Sequence, residues 1–273
     1  MALAETITGA DRAPALRFPR ATWPTLGRWV SPLVLLLLWE LGVRSGLIPP
    51  RVLAAPSDVL ATMWAMTISG ELPSNVAVSL GRAAAGLAIG LTFGVILGLT
   101  AGLTKTGEAA IDPLMQIKRT IPSLALAPLF IVWFGIGETP KIVLIAIATV
   151  FPVYLNTFAG VRGVDKRLVE AARSLGLKGP SLIFHVILPG ALPSFFVGLR
   201  YAIGISILVL VVAEQINAQA GIGQLINAAR DFMRTDIIVV CLIVYALLGL
   251  AGDAFVRALE RRALAWRPSF VEG

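Results

Sequence analysis

Reactive chemistry needs ionisable or nucleophilic side chains brought together, and this chain supplies few. It has one cysteine, Cys241, and one histidine, His185. A disulfide within the chain is therefore excluded, and a transition-metal centre, which takes several such ligands at set spacing, has no basis. The two residues lie far apart on different elements, so no catalytic constellation forms around them. A phosphate loop of the form G-x-x-x-x-G-K-[ST] is missing too; the nearest stretch, Gly102 to Gly107 (GLTKTG), has the wrong order. Any nucleotide hydrolysis belongs to another chain.

What remains is charge inside apolar runs: Glu40, Arg44, Arg82, Glu214 and Asp253. Each costs about 2.5–3.5 kcal/mol to place in a membrane and is a functional suspect on that ground. Arg82 and Glu214 both fall near the outer parts of their helices, and two readings stay open. The Arg82 guanidinium can offer paired hydrogen bonds to an anion, with Gln215 and Asn217 as neutral neighbours along a substrate pathway. Alternatively, Arg82 and Glu214 pair and lock two helices together.

A second concentration of polar residues runs from Gly163 to Pro189 (GVDKRLVEAARSLGLKGPSLIFHVILP). Asp165 is placed to cap a helix starting at Lys166, and Gly176 to supply the left-handed residue that ends it. Val164, Leu168, Ala172 and Leu175 recur at helical spacing opposite Lys166, Arg167 and Arg173. Gly179 and Pro180 open a second short helix. Two amphipathic helices joined by a glycine turn make a docking element for a soluble partner, whether or not Glu170 also pairs with Arg167 or Arg173 on its own helix.

The elements that position these residues follow from composition. The 273 residues are 57% hydrophobic and 14% charged, with a mean hydropathy of +0.84. A soluble domain carries about 25% charged residues, so the fold class is all-α and polytopic in a membrane. At roughly 20 apolar residues per crossing, six spans emerge at 30–48, 77–103, 120–136, 140–160, 192–213 and 236–258. A tail over 1–29 precedes them, an external loop with an interfacial helix fills 49–76, a core runs over 77–260, and a tail over 261–273 follows. The basic residues flank apolar runs, so topology explains the net charge of +7 better than nucleic acid does. Most of them, including Lys105, Lys118, Arg119, Arg162 and Arg200, gather on one side, which places both termini in the cytoplasm. Glu40 and Arg44 close behind the first apolar run argue against a cleaved signal peptide.

Glycine recurs every fourth residue at Gly86, Gly90, Gly94, Gly98 and Gly102, a flat stripe that should face another helix. Pro113, Pro122, Pro128, Pro152, Pro189 and Pro193 are expected to bend or break the third, fourth and fifth spans. Broken helices and scattered charges would also suit an ion-gradient transporter, but neither an internal repeat nor midplane carboxylates are evident.

The loop carries a more specific pattern. Glu170-Ala171-Ala172, followed by Gly176, Val186 and Leu188-Pro189, resembles the EAA signature of permease subunits of ATP-binding cassette importers, with Val186 where that signature has isoleucine. The resemblance extends over residues 77–260. Stretches at 124–138 (LALAPLFIVWFGIGE), 151–165, 185–200, 211–223 and 228–236 are similar to the aliphatic-sulfonate permeases of the sulfonate, taurine and nitrate importer group.

The resemblance implies a five-helix core with one added N-terminal helix, in a bacterial inner membrane, forming an alternating-access path for a small anion. The solute would be an aliphatic sulfonate, with taurine or nitrate/bicarbonate as alternatives. It implies Glu170, Ala171, Ala172, Arg173, Gly176, Leu188 and Pro189 as the contact with the ATPase. It also implies two ATPase copies, a second permease copy in a homodimer, and a solute-binding protein. ATP and Mg would sit on the ATPase, with no cofactor in this chain.

Overall fold

The computed structural model describes residues 27–266; of the expected tails over 1–29 and 261–273, residues 1–26 and 267–273 lie outside the described residues, whereas 27–29 open the first helix and 261–263 close the last. Among the described residues every regular element is a helix: α1 (Gly27–Arg44), α2 (Pro56–Ile68), α3 (Glu71–Leu103), α4 (Lys105–Thr120), α5 (Ala127–Phe134), α6 (Glu138–Arg162), α7 (Lys166–Ser174), α8 (Gly179–Leu182), α9 (Leu188–Asn217), α10 (Ile222–Asp231) and α11 (Thr235–Ala263). A 3-10 turn over Ser123–Leu126 leads into α5, and a π-helical turn over Ile183–Ile187 joins α8 to α9.

The glycine stripe of α3 packs on α6 in five steps. Gly86 faces Ile145, Gly90 faces Thr149, Gly94 faces Val153, Gly98 faces Thr157 and Gly102 faces Val161. A Cβ built at Gly94 or Gly98 would stand 2.7 Å from the Cβ of Val153 or Thr157, closer than packed carbons approach, so only glycine permits this contact. Both partner series rise together by four, so the two helices run parallel. α6 meets α9 the opposite way round, Gly160 against Ser194 and Gly198 against Asn156. It is thereby held on two sides, and its Leu144, Ile145, Val153 and Tyr154 are among the most buried residues of the chain.

Four stretches are long and apolar enough to cross a membrane: α3, α6, the run Gly179–Ile216 and α11. A fifth crossing follows if α4 and Ser123–Phe134 are taken as one, bent by 87°. The third expected span, 120–136, is therefore corrected. Its α5 has 8 residues, about 12 Å of helix against a core of about 30 Å. Pro122 is the reason: a proline disfavours helical backbone at the residue before it, and Ile121 is extended at φ −87°, ψ 117°. The other prolines break less than expected. α6 continues through Pro152 and α9 through Pro193.

α1 has an apolar, exposed face from Leu33 to Leu38 and is tied to α2 by side chains. Trp39 Nε1 donates to the Ala54 carbonyl at 3.1 Å, and Arg44 donates to Glu40 at 3.0 Å and to Asp58 at 2.8 Å. α2 precedes α3 and reaches α11 through Thr62 Oγ1, which donates to Asp236 at 2.8 Å.

Candidate functional site

The segment between α6 and α9 folds by its own local signals. The Asp165 carboxylate accepts from the Arg167 amide at 2.9 Å, capping α7, an arrangement worth about 1 kcal/mol. At the other end Gly176, at φ +89°, donates to the Arg173 carbonyl, and Leu177 donates to that of Ala172, both at 3.0 Å. This paired closure satisfies two carbonyls that the last turn would leave bare.

α7 sits differently from its sequence period. Ala172 is buried and Val169 half-buried, whereas Leu168 and Leu175 stand 54% and 84% exposed, beside Phe184 at 66%. Of the apolar residues that recur through α7, Ala172 is covered and Leu168 and Leu175 are left exposed. A 9-residue helix has room for one seam, and the chain turns it so that Ala172 rests on the body of the protein. Glu170, Ala171 and Arg173 point to solvent, and among the described residues Glu170 has no ion-pair partner on its own helix. The helix after Gly179 is continuous with α9, so Leu188 and Pro189 lie inside a helix rather than ahead of one. The π-turn makes room for this: the Leu188 amide reaches back five residues to Ile183, and Pro189, which has no amide to donate, follows that widened turn.

At the opposite end of the bundle, α3, α6, α9 and α11 meet at one buried ion pair. Arg82 is 5% exposed and Glu214 fully buried. Arg82 Nη1 donates to Glu214 Oε1 at 2.6 Å and to the Ala220 carbonyl at 2.7 Å, while its Nε and Nη2 bind both oxygens of Glu138. Ser79 Oγ lies 2.7 Å from Glu214 Oε1, the Gly223 amide donates to Oε2 at 2.9 Å, and Tyr245 donates to Oε2 at 3.1 Å. A Cβ at Gly221 would fall 2.5 Å from Arg82 Nη1, so glycine lets the α9–α10 turn fold over the pair. Gln215 is exposed beside it, Asn217 closes α9, and the Asn217 side chain lies outside the described residues.

A third feature escaped the sequence. An open groove of about 580 Å³ lies at the bend between α4 and α5, bounded by α6 and α9, and Lys118 and Arg119 are on its wall. Counting basic residues by flank had put both at the cytoplasmic surface. Instead the Lys118 ammonium stands 6.0 Å from the Phe151 ring centroid, halfway along α6. The 87° bend carries the end of α4 to that depth, and Pro122, already visible in the sequence, was the signal for it.

An all-helical bundle with apolar crossings, a buried polar clamp at one end and an exposed two-helix loop at the other is that of a membrane-spanning permease. The chain belongs to the family of the binding-protein-dependent transport system inner membrane component, which it matches over residues 90–264. It is similar to the putative aliphatic sulfonates transport permease protein SsuC of Escherichia coli (strain K12), 48% identical over 89% of this chain and 92% of that protein. With SsuC of Bacillus subtilis (strain 168) the identity is 43% over 88% and 87%. With the taurine transport system permease protein TauC of Escherichia coli it is 37% over 85% and 86%.

Among solved structures the fold resembles an amino acid ABC transporter at a TM-score of 0.61 and 19% identity, covering 72% of this chain and 96% of that one. It also resembles the inward-facing MetNI methionine ABC transporter at 0.52 and 22%, covering 72% and 97%. The chain is a transport subunit, not an enzyme, and the ATPase of such an importer is a separate protein.

Proposed function

We infer that this permease imports an aliphatic sulfonate, works as a homodimer with two ATPase copies carrying ATP and Mg, and receives its solute from a binding protein on the far side. The names of the two relatives at 48% and 43% identity support the solute class. Glu170, exposed and without an ion-pair partner among the described residues, on a helix closed by hydrogen bonds at both ends, supports the docking role of Glu170, Ala171, Ala172, Arg173 and Gly176. α7 joins the ends of α6 and α9, so a push on it is passed straight to the two helices that border the groove, which is what alternating access by rigid-body tilting requires. Leu188 and Pro189 carry that motion into α9 through the π-turn.

On this reading the α7 end is cytoplasmic, α1 is a sixth crossing added to a five-helix core, and both termini lie inside. Arg82 locks helices rather than meeting solute, because four of its five N–H groups are spent within the chain on two carboxylates and a carbonyl. The test is ATP-driven uptake of a labelled alkanesulfonate by liposomes holding the permease, its ATPase and its binding protein. Uptake that ignores the ATPase would overturn the reading, and uptake of taurine in preference to alkanesulfonate would move the solute assignment to the taurine alternative.

A further inference from the structure

Several cations held between the helices are matched by acid. Arg82 and Lys141 share Glu138, Arg162 pairs with Glu108, and Arg200 pairs with Glu260. Lys118 and Arg119 are different. Neither has an ion-pair partner among the described residues, and no carboxylate lines their groove. The polar contact of Lys118 is Ser123 Oγ at 3.5 Å. Phe151, which its ammonium faces at 6.0 Å, is about 20 Å of helix from the Glu138 end of α6 and about 16 Å from the Arg162 end. The Lys118 charge thus sits near the midpoint of a spanning helix, with Arg119 next to it on the groove wall and neither compensated among the described residues. Charge at that depth is tolerated where it faces a water-filled cavity and marks an ion or solute path.

The walls suit an amphipathic anion. Besides the two cations, Ser123 and Tyr201 bring hydroxyls that donate to nothing else among the described residues, and Asn156 brings an amide with one N–H used on the Pro152 carbonyl at 2.8 Å. Phe151, Leu155 and Ile205 supply an apolar strip beside them. The volume, about 580 Å³, falls in the range of small-molecule sites.

We propose that the groove at the α4–α5 bend is an anion subsite on the transport path, where Arg119 and Lys118 hold the oxygens of a sulfonate and Phe151 and Leu155 receive its alkyl tail. The planar guanidinium of Arg119 binds two oxygens side by side, and the Lys118 ammonium acts as a point charge. Because α6 and α9 border the subsite and α7 joins their ends, movement of the docking helix would open or tighten it. This proposal rests on the sulfonate-import reading above.

The complete importer, reconstituted in phosphatidylcholine liposomes with and without phosphatidylglycerol, tests it. Lys118→Gln and Arg119→Gln are each expected to lower ATP-driven alkanesulfonate uptake by about tenfold or more, with basal ATP hydrolysis unchanged and partial recovery in Lys118→Arg and Arg119→Lys. Uptake within about twofold of wild type in both glutamine variants overturns the subsite and leaves the import reading standing. Absence of ATP-driven sulfonate uptake by the wild-type importer overturns both. Loss of basal hydrolysis alongside uptake assigns the cations a structural role and overturns the subsite. A defect seen only with phosphatidylglycerol present assigns them to lipid headgroups, with the same consequence.

Discussion

Arg82 and Glu214, 132 residues apart in the chain, are joined by a 2.6 Å hydrogen bond in a cluster to which α3, α6, α9 and α11 each contribute a side chain. Glu214 has no exposed surface, and its two oxygens are saturated by Arg82, Ser79, Tyr245 and the Gly223 amide. Such a pair gains little over an apolar contact but is costly to half-remove, because the surviving charge is stranded.

Arg82→Gln or Glu214→Gln is accordingly expected to destabilise the protein by about 3–5 kcal/mol. Thermal unfolding of the purified permease in detergent measures this. A double Arg82→Met, Glu214→Leu variant should recover much of the loss. A stable Arg82→Gln protein with defective uptake would instead restore Arg82 as a solute contact.

The α3–α6 seam gives a matched pair of tests. Gly94→Leu drives a branched side chain into Val153 and should cost about 1–3 kcal/mol or more, seen as a lower yield of monodisperse protein. Gly81→Ala on the same helix meets nothing within 4 Å and should be neutral or slightly stabilising. Equal effects at the two positions would contradict the packing described here.

Glu170→Lys reverses an exposed charge that has no ion-pair partner among the described residues and should leave thermal stability within about 0.5 kcal/mol of wild type. Co-purification with the ATPase and sulfonate-stimulated hydrolysis are expected to collapse. Normal recruitment by this variant would count against the docking role. Asp165→Ala, which removes the cap of the same helix, should cost about 1 kcal/mol and weaken coupling only in part.

Orientation can be read with cysteine chemistry, because Cys241 is fully buried and silent to a charged maleimide. Leu175→Cys, at an 84% exposed position, should react in inside-out vesicles and not in spheroplasts. The reverse pattern would invert the threading.

The features legible in the sequence are those that a residue shares with neighbours one or two turns away. Asp165 and Gly176 bound α7 because a cap or a left-handed turn depends on local backbone alone, and the four-residue glycine period announced a close-packed face because helical geometry repeats at that interval. The EAA-like pattern and the apolar runs pointed to the class for the same reason. Pairing across the bundle was less visible. Glu138 fell just outside the expected fourth span at 140–160, and nothing local told that it would share Arg82 with Glu214.

Lys118 and Arg119 mark the boundary most clearly. Their charge and the following Pro122 are plain in the sequence, and flank counting assigned them to a surface. Only the tertiary structure, by turning the chain through 87° at that proline and setting Phe151 and Tyr201 beside them, decided that they face a groove between helices. Depth in a bundle is a property of how spans pack, and no residue carries it alone.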